Sequence, residues 1–176
     1  MESLDAAAVV LVRAGDRDAF RPIVDRYSEM LFRLAYRITG NESDAEEVVQ
    51  ETFLRAYRKL DSFDGRSSVG TWLFRIATNC SLDLLDRRKL QPQLLGIDLD
   101  EKESARGERI HSKQPNPERL AYNTEIKANI HAAMQALTGV ERIAFVLRHV
   151  EGHSIEEIAA ALNVRSGRLA KACSAR

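Results

Sequence analysis

From Phe20 to Ile38 the residues Phe20, Ile23, Val24, Tyr27, Leu31, Leu34, Ala35 and Ile38 recur at three- and four-residue steps. That spacing is the mark of an amphipathic helix with one stripe turned to a core. Gly40-Asn41 ends it, and NESDAEEVVQETFLRAYRKL restarts the period with Ala45, Val48, Val49, Thr52, Phe53, Ala56, Tyr57 and Leu60 on one face. Asn41 and Ser43 are alternative N-caps, and the acids that follow suit the positive end of a helix dipole. After the turn-rich DSFDGRSSVGT, the run TWLFRIATNCSLDLLDRRKL gathers Trp72, Leu73, Ile76, Ala77, Cys80, Leu84 and Leu85. It closes on Arg87-Arg88-Lys89, a basic cluster that a helix C-terminus favours on electrostatic grounds alone.

Between Gln91 and Glu118 the period fails, and three of the four prolines (Pro92, Pro115, Pro117) lie there among mixed charges. This reads as a flexible linker with room for a short helix around EKESARGER. The period returns in LAYNTEIKANIHAAMQAL, GVERIAFVLRHVEG, SIEEIAAAL and RSGRLAKACSAR, short helices separated by Thr138-Gly139, Gly152-His153 and Asn163-Val164. No sustained β-alternation and no internal repeat interrupts the pattern. The expected class is all-α: one helical domain over 1–91, a tether over 92–118, and a second helical domain over 119–176.

Composition narrows the function classes. Lys+Arg and Asp+Glu number 26 each in the 176 residues, so no global positive field advertises nucleic acid. The end of the chain is a local exception, with Arg165, Arg168, Lys171 and Arg176 and no acid among them. The two cysteines, Cys80 and Cys173, lack partners at metal-ligand spacing, so neither a disulfide framework nor a metal site is expected. The acidic N-terminus has no apolar signal core, and no run approaches the roughly 18 apolar residues of a membrane span. A soluble, cytoplasmic protein without membrane insertion is expected. The four histidines, His111, His131, His149 and His153, are scattered. Gly152 breaks the helix between His149 and His153, which argues against a shared metal face. No phosphate loop, nucleophile elbow or HExxH motif occurs, and Glu46-Glu47 fits helix-terminus charge preference better than acid–base work, so neither an enzyme nor a cofactor is expected.

The C-terminal part fits a helix-turn-helix. Ile158, Ala159 and Leu162 line the inner face of a first helix, Asn163-Val164 makes the turn, and Leu169 and Ala172 line the second. Ser154 with Glu157 three residues on forms a capping box that sets the start. The second helix would present Arg165, Ser166, Arg168 and Lys171 to phosphates and guanine edges. A small helical hairpin with a merely solvated basic face is the plain alternative.

DAEEVVQETFLRAYRKL, FDGRSSVGTWLFRIATNCSLDLLDRRK and ALTGVERIAFVLRHVEGHSIEEIAAALNV, in that order and spacing, resemble regions 2.2, 2.3 to 2.4 and 4 of the extracytoplasmic-function (group 4) sigma factors of bacterial RNA polymerase. The resemblance covers most of the chain outside the linker. It implies a dissociable specificity subunit whose first domain binds the polymerase clamp helices and melts the minus-10 element, while the second reads the minus-35 element. It also implies control by an anti-sigma factor, in a stress or envelope response.

On its own, a polar stripe of Asp44, Glu47, Gln50, Glu51 and Arg55 opposite Val48, Val49 and Phe53 is a solvated helix face. The resemblance assigns Glu47, Gln50 and Glu51 to the clamp, with Asp44, Phe53, Arg55 and Tyr57 beside them. In the minus-10 part, Phe63 would stack a flipped base and Asp64, Gly65, Ser67 and Ser68 would offer small polar edges. Trp72 is either part of that site or a core anchor. Arg75, Asn79, Asp83 and Arg87 recur a turn at a time. Arg75, Arg87, Arg88 and Lys89 suit phosphates and Asn79 a base edge. For minus-35 binding the resemblance points to Ser154, Arg165, Ser166, Arg168 and Lys171.

Departures from the family concentrate at the end. Its members usually carry a Pro near Leu137-Thr138-Gly139 and a recognition helix close to GTVKSRLxRAR that runs on for further turns, where this sequence has GRLAKACSAR. A short helix without the usual apolar Leu buries less surface and frays. The expectation is weakened minus-35 binding from an altered or shortened end. The rival readings are a sigma-like interaction protein that engages polymerase or an anti-sigma factor without specifying promoters, and a repressor using the C-terminal motif alone. The repressor reading leaves the Glu47, Gln50 and Glu51 stripe without a role.

Overall fold

The computed structural model describes the backbone of residues 2–95 and 129–164, and the side chains of 4–90 and 129–164. Among these the structure is all helical. The order is α1 (Glu2–Arg13), a 3-10 turn (Arg17–Phe20), α2 (Arg21–Thr39), α3 (Glu42–Arg58), a 3-10 turn (Leu60–Ser62), α4 (Val69–Leu95), a helical stretch over 129–136 (α5), α6 (Gly139–His149) and α7 (Ile155–Leu162).

Helices α2, α3 and α4 pack against one another through the stripes that the periodicity marks. Ile23, Leu31, Leu34, Ile38, Ala45, Val48, Phe53, Ala56, Leu73, Ala77, Cys80, Leu84 and Leu85 are buried, while Tyr57 stays 39% exposed. The buried hydroxyls are satisfied within their own helices: Thr39 donates to the Ala35 carbonyl, Thr52 to Val48, and Ser81 to Ala77. Asn41 is the N-cap of α3, its side chain accepting the Asp44 N–H at 3.0 Å. Gly40, with φ +73°, closes α2 in the left-handed conformation that favours glycine.

Helix α1 is absent from the periodicity reading. It seats Ala8 and Val9 in the core, and its Asp5 accepts from Arg26 and from the Tyr27 hydroxyl, both at 2.7 Å. Helix α4 runs to Leu95, past the basic cluster and through Pro92. One proline removes a single backbone hydrogen bond near the helix end, where the remaining ladder carries it. The proposed short helix around EKESARGER and the rest of 96–128 lie outside the described residues.

The second half packs Ile143, Val146 and Leu147 of α6 against Ile158, Ala159 and Leu162 of α7, all buried. Both helices begin in complete capping boxes, Thr138 with Glu141 and Ser154 with Glu157. With only 11 and 8 residues, they are too short to persist on propensity alone, so capping and packing hold them. The two halves meet directly: a Cβ on Gly139 would stand 3.1 Å from Leu82 Cδ1, and Leu85, Ile143 and Ala144 join one buried cluster.

The capping acids give a pH signature. The hydrogen bonds from the Thr138 hydroxyl and backbone, and those from the Ser154 backbone and hydroxyl, hold Glu141 and Glu157 below the usual glutamate value of 4.5. A depressed folded-state value stabilises above the unfolded one and is lost as pH falls through it. As pH falls through about 4.5 and below, α6 and α7 should therefore lose protection, whereas the variants Glu141→Gln and Glu157→Gln, which keep an acceptor that does not titrate, should show a weaker dependence on pH. Amide exchange of α6 and α7 against pH measures the difference.

Candidate functional site

Glu47, Gln50, Glu51 and Arg55 from α3 face Asp83, Asp86 and Arg87 from α4 across an open cleft of about 610 Å³. Leu54 and Leu90 flank it, 51% and 54% exposed. Two exposed leucines beside a mainly acidic ridge suit a partner that brings both apolar and basic groups. Leu54, Leu90 and Asp86 were not among the expected site residues. The available signal was an apolar residue off the core stripe, at Leu54 and again at Leu90.

The cleft is internally cross-linked. Arg55 bridges Glu51 and Asp83, each at 2.6 Å, and Arg87 reaches Glu47 at 2.8 Å. The carboxylates of Asp83 and then Glu51 hold the Arg55 guanidinium still more firmly protonated than an ordinary arginine. These partly exposed pairs contribute little stability, and their weight lies in fixing side-chain directions.

Asp44 stands apart from the exposed stripe. It is 2% exposed and accepts from Arg88, tying the start of α3 to α4. Burial pushes its carboxyl up, Arg88 pulls it back and Glu47 pushes it up again. Phe53 is also buried, edge-on to Phe20 at 6.3 Å, and the half-exposed Tyr57 packs on the same Phe20 ring at 5.3 Å. Of the expected clamp residues, Glu47, Gln50, Glu51, Arg55 and Tyr57 line the surface while Asp44 and Phe53 support it from beneath.

In the loop before α4, the Phe63 and Trp72 rings lie 5.1 Å apart at 44°, and Trp72 is partly buried against the core. Gly65 turns the loop at φ +73°. Asp64 accepts from the Arg66 backbone N–H at 3.1 Å and pairs with its guanidinium at 2.8 Å. The Ser68 hydroxyl accepts the Thr71 N–H at 3.1 Å, so it works as a helix cap while Ser67 remains half-buried beside it.

Along α4, Arg75 and Lys89 are exposed, whereas Arg87 and Arg88 are engaged with Glu47 and Asp44. Asn79 donates to the Arg75 carbonyl at 2.7 Å and to the Ala161 carbonyl of α7 at 3.0 Å. Phe74 lies 4.7 Å from the His153 ring, next to this contact. His149 instead packs on Phe145, so the two histidine rings are separately engaged. Among the described residues no group of three or more His, Cys, Asp or Glu could hold a metal ion, and no helix is long and apolar enough to cross a membrane.

In the first helix and turn of the expected helix-turn-helix, Ser154 accepts the Glu157 N–H at 3.2 Å, and Asn163 caps α7 at φ 52°, ψ 40°. The Val164 N–H returns to the Ala159 carbonyl at 3.0 Å. Arg165, Ser166, Arg168 and Lys171 lie outside the described residues, as does Cys173.

Comparison with known proteins decides the family. Residues 23–91 match the model of Sigma-70 region 2, and residues 127–172 match that of Sigma-70, region 4. The extracytoplasmic-function (ECF) RNA polymerase sigma factor SigW of Bacillus subtilis is 33% identical over 167 residues, which is 95% of this chain and 89% of that protein. The chain belongs to the ECF sigma factors. SigE of Mycolicibacterium smegmatis, also an ECF RNA polymerase sigma factor, is 37% identical over 146 residues, 82% of this chain but 53% of that longer protein. The solved structure of CnrH in complex with the cytosolic domain of CnrY aligns at TM-score 0.57 and 26% identity, covering 97% of this chain and 88% of the other. The Bartonella quintana sigma factor RpoE, solved with the anti-sigma factor NepR, shares the fold at TM-score 0.60 and 24% identity, over 88% and 89% of the two chains. In sigma terms, α2, α3 and most of α4 are region 2, α5 to α7 fall in region 4, and α1 precedes the region 2 match.

The pairing of buried Asp44 with the half-exposed Arg88 should matter to the stability of the region 2 helices. Replacing Arg88 with Met leaves a buried carboxylate without its cation and should cost about 1–3 kcal/mol. Adding Asp44→Asn should recover much of that loss, so urea denaturation of the two single variants and the double should give a clearly non-additive cycle.

Proposed function

We propose that this chain is a dissociable promoter-specificity subunit of bacterial RNA polymerase. The α3–α4 cleft receives the clamp helices, the Phe63–Trp72 loop and the α4 row open and read the minus-10 element, and the helix-turn-helix reads the minus-35 element. The observation that carries this reading is that the acidic cleft of Glu47, Gln50 and Glu51 on α3 is completed by α4, the helix that also carries the Asn79 row. A single rigid body can thus grip the polymerase on one side and DNA on the other. The work is binding and strand opening without covalent chemistry, carried out in the cytoplasm where polymerase and promoter are found.

Charge complementarity across the cleft would speed and orient encounter more than deepen affinity. Melting costs a few kcal/mol for each unstacked base, and a stacking wall such as Phe63 with Trp72 offsets it. Control by an anti-sigma factor is part of the same proposal; the Bartonella quintana sigma factor RpoE, which shares the fold, was solved with the anti-sigma factor NepR.

Run-off transcription from a library of genomic fragments with purified core polymerase tests the reading. Promoter-dependent transcripts should appear, and the triple variant Glu47→Lys, Gln50→Ala, Glu51→Lys should lower them by more than about tenfold with its helical content intact. A protein that competes for core polymerase yet yields no initiation would instead favour the sigma-like interaction protein.

A further inference from the structure

Arg13, at the end of α1, sends one guanidinium nitrogen to the carbonyls of Leu60 at 2.7 Å, Asp61 at 3.2 Å and Phe63 at 2.5 Å. These carbonyls lie at the end of the 3-10 turn Leu60–Ser62, where a cation is favoured, and the Leu60 carbonyl also accepts the Phe63 N–H. Phe63 is the last of them, and its ring faces Trp72. The helix that carries Arg13 is itself fixed, through Ala8 and Val9 in the core and Asp5 on Arg26 and Tyr27. It lies outside the stretch matched by region 2.

We propose that Arg13 is a positioning residue for minus-10 recognition: it holds the backbone of Leu60 to Phe63 so that the Phe63 ring stands ready beside Trp72. The inference rests on the reading of Phe63 and Trp72 as the stacking wall. All three contacts come from one guanidinium nitrogen, so a lysine ammonium, itself a compact donor, can replace part of them.

The test uses holoenzyme and a forked DNA whose single-stranded segment was selected from a random pool on the unaltered protein. Arg13→Ala should lower affinity for that DNA about tenfold, the scale of one charge-assisted hydrogen bond. Competition for core polymerase should stay within about twofold, and Arg13→Lys should restore part of the DNA binding. Trp72 is the only tryptophan, so in the free protein Arg13→Ala should also increase its quenching by acrylamide. Unchanged DNA affinity in Arg13→Ala beside a loss in Phe63→Ala overturns the proposal. So does an equal loss of core and DNA binding with a lowered melting temperature, which marks a merely structural role. If Phe63→Ala also leaves DNA binding intact, the stacking-wall reading itself has failed.

Discussion

Leu73, Ala77, Cys80 and Leu84 are buried along one side of α4, where the helix packs against α2 and α3. That packing sets the rotation of α4 about its own axis, and so the direction of every side chain on its other side. A turn of one residue, 100° of helix, would carry Asn79 into the core and Cys80 out of it. The cleft residues Asp83 and Arg87 are fixed by the same rotation, so the cleft and the position of Asn79 cannot be re-aimed independently on this helix. Asp44–Arg88 and Arg55–Asp83 then pin α3 to α4 in register, from the first turn of α3 toward its last.

Electrostatics here works through arrangement, since positive and negative residues balance over the chain. Acids collect on the α3–α4 cleft while Arg75 and Lys89 stay exposed along α4. Arg87 belongs to both sets through its pair with Glu47, and both members remain more than half exposed. Such a pair is weak enough to exchange. A basic group brought to Glu47 would therefore free the Arg87 guanidinium for another anion.

Much of this was legible in the sequence because local period and long-range packing agree in α2, α3 and α4. Buried stripes, the Ser154 capping box and the Asn163 turn could all be read from spacing, since each depends on neighbours within four residues. The misses have equally physical causes. Helix α1 shows no clean stripe because Leu4, Val10 and Leu11 are exposed while Ala8 and Val9 are buried, so apolar residues are spread around the helix. Asp44 sits on the polar stripe by angle yet is buried because Arg88 and the capped first turn accept its charge. Asn79 to Ala161 spans 82 residues, and no local pattern encodes a contact between a side chain and a distant carbonyl.

Region 4 depends on what it rests against. Helices of 11 and 8 residues lie near the limit of independent stability, and α6 also buries Arg142, 4% exposed, with Nη2 donating to Gln135 at 2.9 Å and Nε lacking any partner among the described residues. Desolvation lowers the affinity of that guanidinium for its proton, a sign that the charge is held at a cost. Contacts of Gly139 with Leu82 and Leu85 help offset this cost by extending the apolar cluster from α4 into α6. Separating the halves exposes that cluster, so a partner that draws region 4 away must supply apolar surface of its own to cover it.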